Sequence, residues 1–120
     1  MSQRTEKVQK LARQVLGEAI QGLKDPRVGF ATVTAVRMTP DLRRARVLVS
    51  VLGDESERAA TMAGLSSATP HLRAELGRQV RLKFLPELVF ELDLVSDRAA
   101  RLEELLDRVH GDDAARGKGV

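Results

Sequence analysis

His71 and His110 are the only imidazoles in this chain, and nothing in the sequence pairs either of them with a nucleophile or an orienting acid. General base catalysis needs an imidazole within hydrogen-bond reach of the reacting group and a second residue to hold it. His110 falls at the end of an apolar-periodic stretch, where a helix C-terminus is its simplest partner. His71 falls near a helix start and reads as a surface residue. There is no cysteine, which removes thiolate nucleophiles, disulfides and sulfur-held zinc and suits a reducing compartment. The phosphate loop GxxxxGK[ST], the dinucleotide turn GxGxxG, the nucleophile elbow GxSxG and the zinc helix HExxH are all missing. Glu103, Glu104 and Asp107 lie opposite leucines on one helical stretch and read as a solvated face rather than a converging metal site. No catalytic residue, metal or cofactor is expected.

The chemistry the residues do offer is phosphate binding. Arg43, Arg44 and Arg46 cluster where two strands meet, Lys7, Lys10 and Arg13 accompany Arg4 on the first half of a helix, and Arg27 follows that helix. Arg73, Arg78 and Arg81, with Lys83, precede a third strand. A guanidinium fork suits phosphate oxygens, although any one arginine serves ion pairing or solubility as readily. Distribution strengthens the group: residues 1–50 hold ten Lys/Arg against four Asp/Glu, residues 51–87 five of each, and residues 88–120 five against eight. The net +3 of the chain is thus a basic N-terminal half facing an acidic C-terminal end, the pattern of a polyanion-facing surface. The three phenylalanines, Phe30, Phe84 and Phe90, all fall in expected strands and read as core. A base-stacking platform is therefore not expected, and nucleic-acid contacts would go to the backbone.

These residues need elements to position them. Val8, Leu11, Ala12, Val15, Leu16, Ala19, Ile20 and Leu23 recur at three-four spacing and predict a helix from Thr5 to Leu23, stopped by Lys24-Asp25-Pro26. Phe30 to Met38 alternates β-branched residues with both faces apolar, which predicts a central strand. Thr39-Pro40-Asp41-Leu42 is a turn by composition, and Arg44 to Leu52 is a second strand with Ala45, Val47, Val49 and Val51 on one face. Asp54 and Glu57 form a capping box for a helix running to about Ser67, whose Ala59, Ala60, Ala63 and Gly64 would let another helix approach closely. Thr69 as N-cap and Pro70 at the first position restart the helix. Arg81 to Leu92 is a third strand, placed at an edge or bulged at Pro86 because proline cannot donate to a ladder. Ser96 or Asp97 caps a last helix with Leu102, Leu105, Leu106 and Val109 as its apolar stripe.

The order is α-β-β-α-α-β with a terminal helix. The connection between the second and third strands is long enough for a parallel crossover, so the helices pack on one face of a three-stranded mixed sheet in an α+β fold. Residues 1–110 are expected to form a single domain, and 111–120 a disordered tail with nothing to bury. The N-terminal residues lack the apolar core of a signal peptide, and no stretch approaches the roughly 20 apolar residues of a membrane span, so a soluble, cytoplasmic protein is expected.

Three segments in this order resemble the ribosome-binding factor A family: RTEKVQKLARQVLGEAIQGLKDPRVG, the hairpin VTAVRMTPDLRRARVLVSVLG, and HLRAELGRQVRLKFLPELVFELD. The resemblance spans residues 4 to 109. It implies a type II KH-like fold and a non-enzymatic bacterial assembly factor that binds the free small (30S) ribosomal subunit. It further implies support for late 16S rRNA processing and growth in the cold, and leaves room for ribosomal proteins or a maturation GTPase as further partners. The family replaces the GxxG clamp of KH domains by an Ala-x-Gly kink, and Ala68-Thr69-Pro70 stands at that place here. Pro70 keeps the kink but removes the bare backbone that a phosphate could approach. A monomer is the simpler expectation for a domain that inserts into a particle.

The binding hypothesis assigns rRNA phosphates to Lys7, Lys10, Arg13, Arg27, Arg43, Arg44, Arg46, Arg73, Arg78 and Arg81, recognising shape rather than sequence. The alternative is a protein-interaction adaptor that docks through its acidic last helix or an open sheet edge, with RNA incidental. Salt separates the two, because a phosphate-dominated contact weakens steeply as salt rises.

Overall fold

Helix α1 (Gln3–Gln21) opens the computed structural model, which describes residues 3–95 together with Arg98, Leu102, Glu103, Leu105 and Leu106. Its inner stripe is Val8, Ala12, Val15, Leu16 and Ile20, all buried. Leu11, expected on that stripe, is 48% exposed, while the polar Gln9 is buried instead. The reason is a tie between layers: Gln9 Oε1 accepts the Met38 backbone N–H at 2.9 Å, so an amide rather than a leucine meets the end of a strand. The helix stops two residues before Leu23, where the N–H of Gly22 turns back to the Glu18 and Ala19 carbonyls.

Strands β1 (Ala31–Met38) and β2 (Arg44–Val51) form the expected antiparallel hairpin. Asp41 holds its turn: Oδ1 accepts from Thr39 Oγ1 at 2.6 Å and from the Arg43 N–H at 3.1 Å. Leu42 sits at φ 61°, in the left-handed region, and this organised turn holds it there. The third strand, β3 (Glu87–Leu92), runs parallel to β2, and the order is β1-β2-β3. The expectation that β1 is central is corrected: β2 holds the middle and β1 is an edge. Register shifts between Val33 and Ala35, a bulge that inserts one residue and reverses the alternation beyond it. Ala31 and Val33 before it, and Val36 and Met38 after it, therefore face the same core. Strict alternation had split these residues between two faces and made a one-sided strand look two-sided.

Helix α2 (Glu55–Ser67) begins with the expected reciprocal capping box between Asp54 and Glu57. Helix α3 (Thr69–Gln79) follows after one residue. Ala68 is both the C-cap of α2 and the N-cap of α3, which corrects the expected Thr69 cap. Thr69 Oγ1 donates instead to the Leu65 carbonyl at 3.2 Å, closing the end of α2, and Pro70 sits in the first turn of α3, where its missing donor costs nothing. Helices α1, α2 and α3 cover one face of the sheet, with Leu16, Leu65, Leu72 and Leu76 meeting Val47 and Val49 at zero exposure. The strand expected from Arg81 starts only at Glu87, because Pro86 has no N–H for the β2 ladder and is itself buried.

Leu94, Val95, Arg98, Leu102, Glu103, Leu105 and Leu106 are helical. Leu102, Leu105 and Leu106 are 58%, 56% and 47% exposed, so these three members of the expected apolar stripe face solvent. Ser96, Asp97, Glu104, Asp107, Val109, His110 and the tail 111–120 lie outside the described residues. Among the described residues no helix is long and apolar enough to cross a membrane.

Candidate nucleic-acid interface

The amphipathic pattern that buries Val8, Ala12 and Val15 turns Lys7, Lys10 and Arg13 outward, and all three are exposed. None of them enters an ion pair among the described residues. Lys10 and Arg13 border a shallow cleft of about 330 Å³ between α1 and the β1 edge, lined also by Glu6, Gln9, Thr34, Ala35, Val36 and Arg37. Arg37 is a cation that the sequence reading did not select. The signal was the parity of Val36 and Met38, which turns Arg37 to the opposite face once the bulge is known. Arg37 stands directly across from Arg46 in the β1–β2 register, without an anion of its own among the described residues. A band of cations without ion pairs among the described residues, with Glu6 the one carboxylate of the cleft, therefore runs from the outer face of α1 to the edge of the sheet.

The hairpin arginines do not act as one cluster. Arg44 and Arg46 project from β2 on the sheet face away from the helices, where the parallel neighbour β3 supplies carboxylates. Arg44 lies 3.6 Å from Glu87, and Arg46 Nε donates to Glu91 Oε2 at 2.6 Å. The bond and charge of Glu91 hold the Arg46 guanidinium more firmly protonated than usual. Both pairs are solvent-exposed, where ion pairs contribute little, so an incoming phosphate competes with them at little cost. Arg43, in the turn, is separate: its guanidinium carbon stands 4.5 Å from the centroid of the Phe84 ring.

Arg27, Arg73 and Arg78 have intramolecular work. Arg27 donates Nε and Nη2 to Asp25, with the shortest contact 2.6 Å. This bonding holds the Asp25 carboxyl below its ordinary range and raises the guanidinium. The same loop is clamped to α2, for Thr61 Oγ1 donates to the Arg27 carbonyl at 3.3 Å and accepts the Gly29 N–H at 3.1 Å. Gly64 thus admits this loop rather than a helix, since a Cβ there would stand 2.6 Å from Val28 Cγ2, while Ala59 and Ala63 of the same helix are exposed. Arg73 donates to the carbonyls of Pro86 at 2.9 Å and Leu85 at 3.1 Å, satisfying a segment that leaves the sheet. Arg78 pairs with Glu75 one turn away. Arg81 is exposed and has no ion pair among the described residues. Ala68 and Thr69 are half-buried at the kink, and Pro70 is exposed.

Two phenylalanines correct the sequence reading. Phe30 precedes β1 and is 76% exposed, and Phe84 precedes β3 and is 48% exposed. Only Phe90 lies in a strand, packed at the margin of the core. Phe84 falls outside β3 because the strand does not extend back through Pro86, and Phe30 stands one residue ahead of β1. Among the described residues no group of three or more His, Asp or Glu side chains is arranged to hold a metal ion.

A sequence profile described as ribosome-binding factor A matches residues 4–106. Ribosome-binding factor A of Geobacter sulfurreducens is 43% identical over 110 residues, covering 91% of this chain and 93% of that protein. The solution structure of a putative ribosome-binding factor A from Thermotoga maritima superposes with a TM-score of 0.68 at 33% identity, covering 76% of this chain and 88% of that one. Thermus thermophilus ribosome-binding factor A, as a homology model fitted into a cryo-EM map of its complex with the 30S subunit, gives a TM-score of 0.60 at 36% identity, covering 69% and 88%. The α-β-β-α-α-β order and the mixed sheet are those of the type II KH-like fold, and with a profile match across most of its length this chain belongs to the ribosome-binding factor A family.

Proposed function

We propose that this protein binds the free small ribosomal subunit and supports late 16S rRNA processing and subunit maturation, gripping rRNA by its phosphates and shape. The observation that carries the reading is the band of unpaired cations formed by Lys7, Lys10, Arg13 and Arg37 along α1 and the β1 edge. Ribosome-binding factor A of Thermus thermophilus has been placed on the 30S subunit, which supports the same partner here. Such a band neutralises a polyanion without reading bases, since phosphate contacts position a protein while base edges specify it. The kink at Ala68-Thr69-Pro70 takes no phosphate in this reading, because proline replaces the residue whose backbone would be bare. The role is that of a binding factor without catalysis, acting in the cytoplasm as a monomer.

Co-sedimentation with isolated small subunits, large subunits and whole ribosomes across a salt series tests the proposal. Binding is expected to free small subunits alone, weakening steeply with salt. Equal binding to all three particles, or affinity indifferent to salt, overturns it. Depletion of the protein in its host is expected to accumulate 16S precursor, and normal processing there removes the maturation role.

The adaptor reading retains one supporting observation. Leu94, Val95, Leu102 and Leu105 are between 56% and 79% exposed on the helical segment after β3, a surface suited to a ribosomal protein or a maturation GTPase rather than to phosphate. Salt-insensitive capture of the small subunit, lost when these residues become polar, would favour it.

A further inference from the structure

Phe84, Arg43, Arg4 and Lys83 meet at a cleft that lies outside the cation band and has a different chemistry. The cleft holds about 310 Å³ between the N-terminus of α1, the hairpin turn and the segment before β3, and it is lined by Arg4, Thr5, Pro40–Arg43 and Leu82–Phe84. Arg43 lies over the Phe84 ring at 4.5 Å, and Lys83 Nζ is 5.5 Å from the same centroid. None of Arg4, Arg43 and Lys83 enters an ion pair among the described residues. An aromatic ring left 48% exposed, with Arg43 and Lys83 beside it, Arg4 in the same cleft and a buried Pro86 fixing the chain beyond it, is not explained by core packing.

We infer that this cleft takes one unpaired rRNA base onto the Arg43–Phe84 stack, with the flanking phosphates held by Arg4 and Lys83. The inference rests on the small-subunit reading above and adds to it a nucleotide that is single-stranded where the protein sits. Planar guanidinium and aromatic faces are the surfaces on which splayed bases stack. A duplex phosphate backbone would gain only from the cations and would leave the ring unused. The one carboxylate in the lining is Asp41, held ionised by Thr39 Oγ1 and the Arg43 N–H. It repels a phosphate from the hairpin turn but accepts the N–H groups of a base, so base and phosphates are sorted to opposite sides of the cleft. The lining includes no second aromatic, which limits the site to one stacked base.

The test uses the full chain. Phe84→Leu is expected to weaken binding to isolated small subunits about 5- to 100-fold, with the dependence on salt unchanged because no charge is removed. Phe84→Trp is expected to retain binding. The chain contains no Trp and no Tyr, so this variant carries a single indole whose emission reports stacking directly. Quenching by small subunits and by a single-stranded oligoadenylate, and much weaker quenching by the same strand in a duplex with oligouridylate, supports the site. Wild-type affinity in a folded Phe84→Leu protein together with unchanged indole emission overturns it, and leaves the small-subunit reading standing. If the unaltered protein fails to bind small subunits the underlying reading falls, and the oligoadenylate titration still decides the cleft by presence or absence of quenching.

Discussion

A methyl group at Gly64 has nowhere to go, since its Cβ would stand 2.6 Å from Val28 Cγ2 and the loop carrying Val28 is already clamped by Thr61. Gly64→Ala is expected to destabilise the fold by about 1–3 kcal/mol through overpacking, read as a lowered Tm, with the affinity of the remaining folded protein unchanged. Arg73 shows what composition leaves open at this scale. It counted among phosphate-binding arginines by its position before a strand, yet its donors meet the Leu85 and Pro86 carbonyls. Arg73→Met is expected to cost roughly 1 kcal/mol of stability in denaturant unfolding and to leave the salt dependence of subunit binding unaltered. Nothing in the residue type distinguishes a guanidinium bound to a carbonyl from one awaiting a phosphate; the backbone that abandons its ladder at Pro86 decides it.

Helix α1 joins the two main roles of the fold, because a single 3.6-residue periodicity buries Val8, Ala12, Val15 and Leu16 and exposes Lys7, Lys10 and Arg13. Replacing these three cations by glutamine is expected to reduce the slope of log affinity against log salt by about 2–3, at roughly 0.7–0.9 for each phosphate left without its cation, while thermal stability stays near that of the parent. The same replacement at Arg44 and Arg46 is expected to change the slope less, since these side chains already face Glu87 and Glu91. An equal or larger change from the β2 pair, measured in the same salt series, would move the centre of the interface to the open sheet face. Strand β1 displays the limit of periodicity at this scale. Its bulge is a property of pairing with β2, and a single strand read alone carries no mark of it.

Across the whole molecule, charge and stability are linked through two loops, the one that leads from α1 into β1 and the hairpin turn between β1 and β2. Asp25 and Asp41 are both held below the ordinary aspartate range, the first by Arg27 and the second by Thr39 and the Arg43 N–H. A depressed carboxylate pKa in the folded state stabilises that state above the unfolded pKa, and the contribution is lost as pH falls through the folded value. These two groups are therefore expected to leave stability flat from neutrality to about pH 5 and to withdraw support below about pH 4. Chemical denaturation across that range checks the sign: Asp41→Asn should flatten the acid limb, and an unchanged limb would show that the turn contributes nothing to it.

The elements, their order and the layer they form were legible in the chain without coordinates. Hydrophobic spacing, the Asp54–Glu57 box and the punctuation at Pro26, Pro40 and Pro70 act within a few residues, and local physics suffices to read them. The basic character of the N-terminal half and the match of three segments to one family were equally plain. Which strand is central, which arginines are compensated and which phenylalanines are exposed emerged only on folding. Each of those depends on a partner distant in the chain, as Arg46 on Glu91 and Arg43 on Phe84. Charge and ring are legible in a sequence one residue at a time, but neutralisation and stacking are properties of pairs, and the fold chooses the pairs.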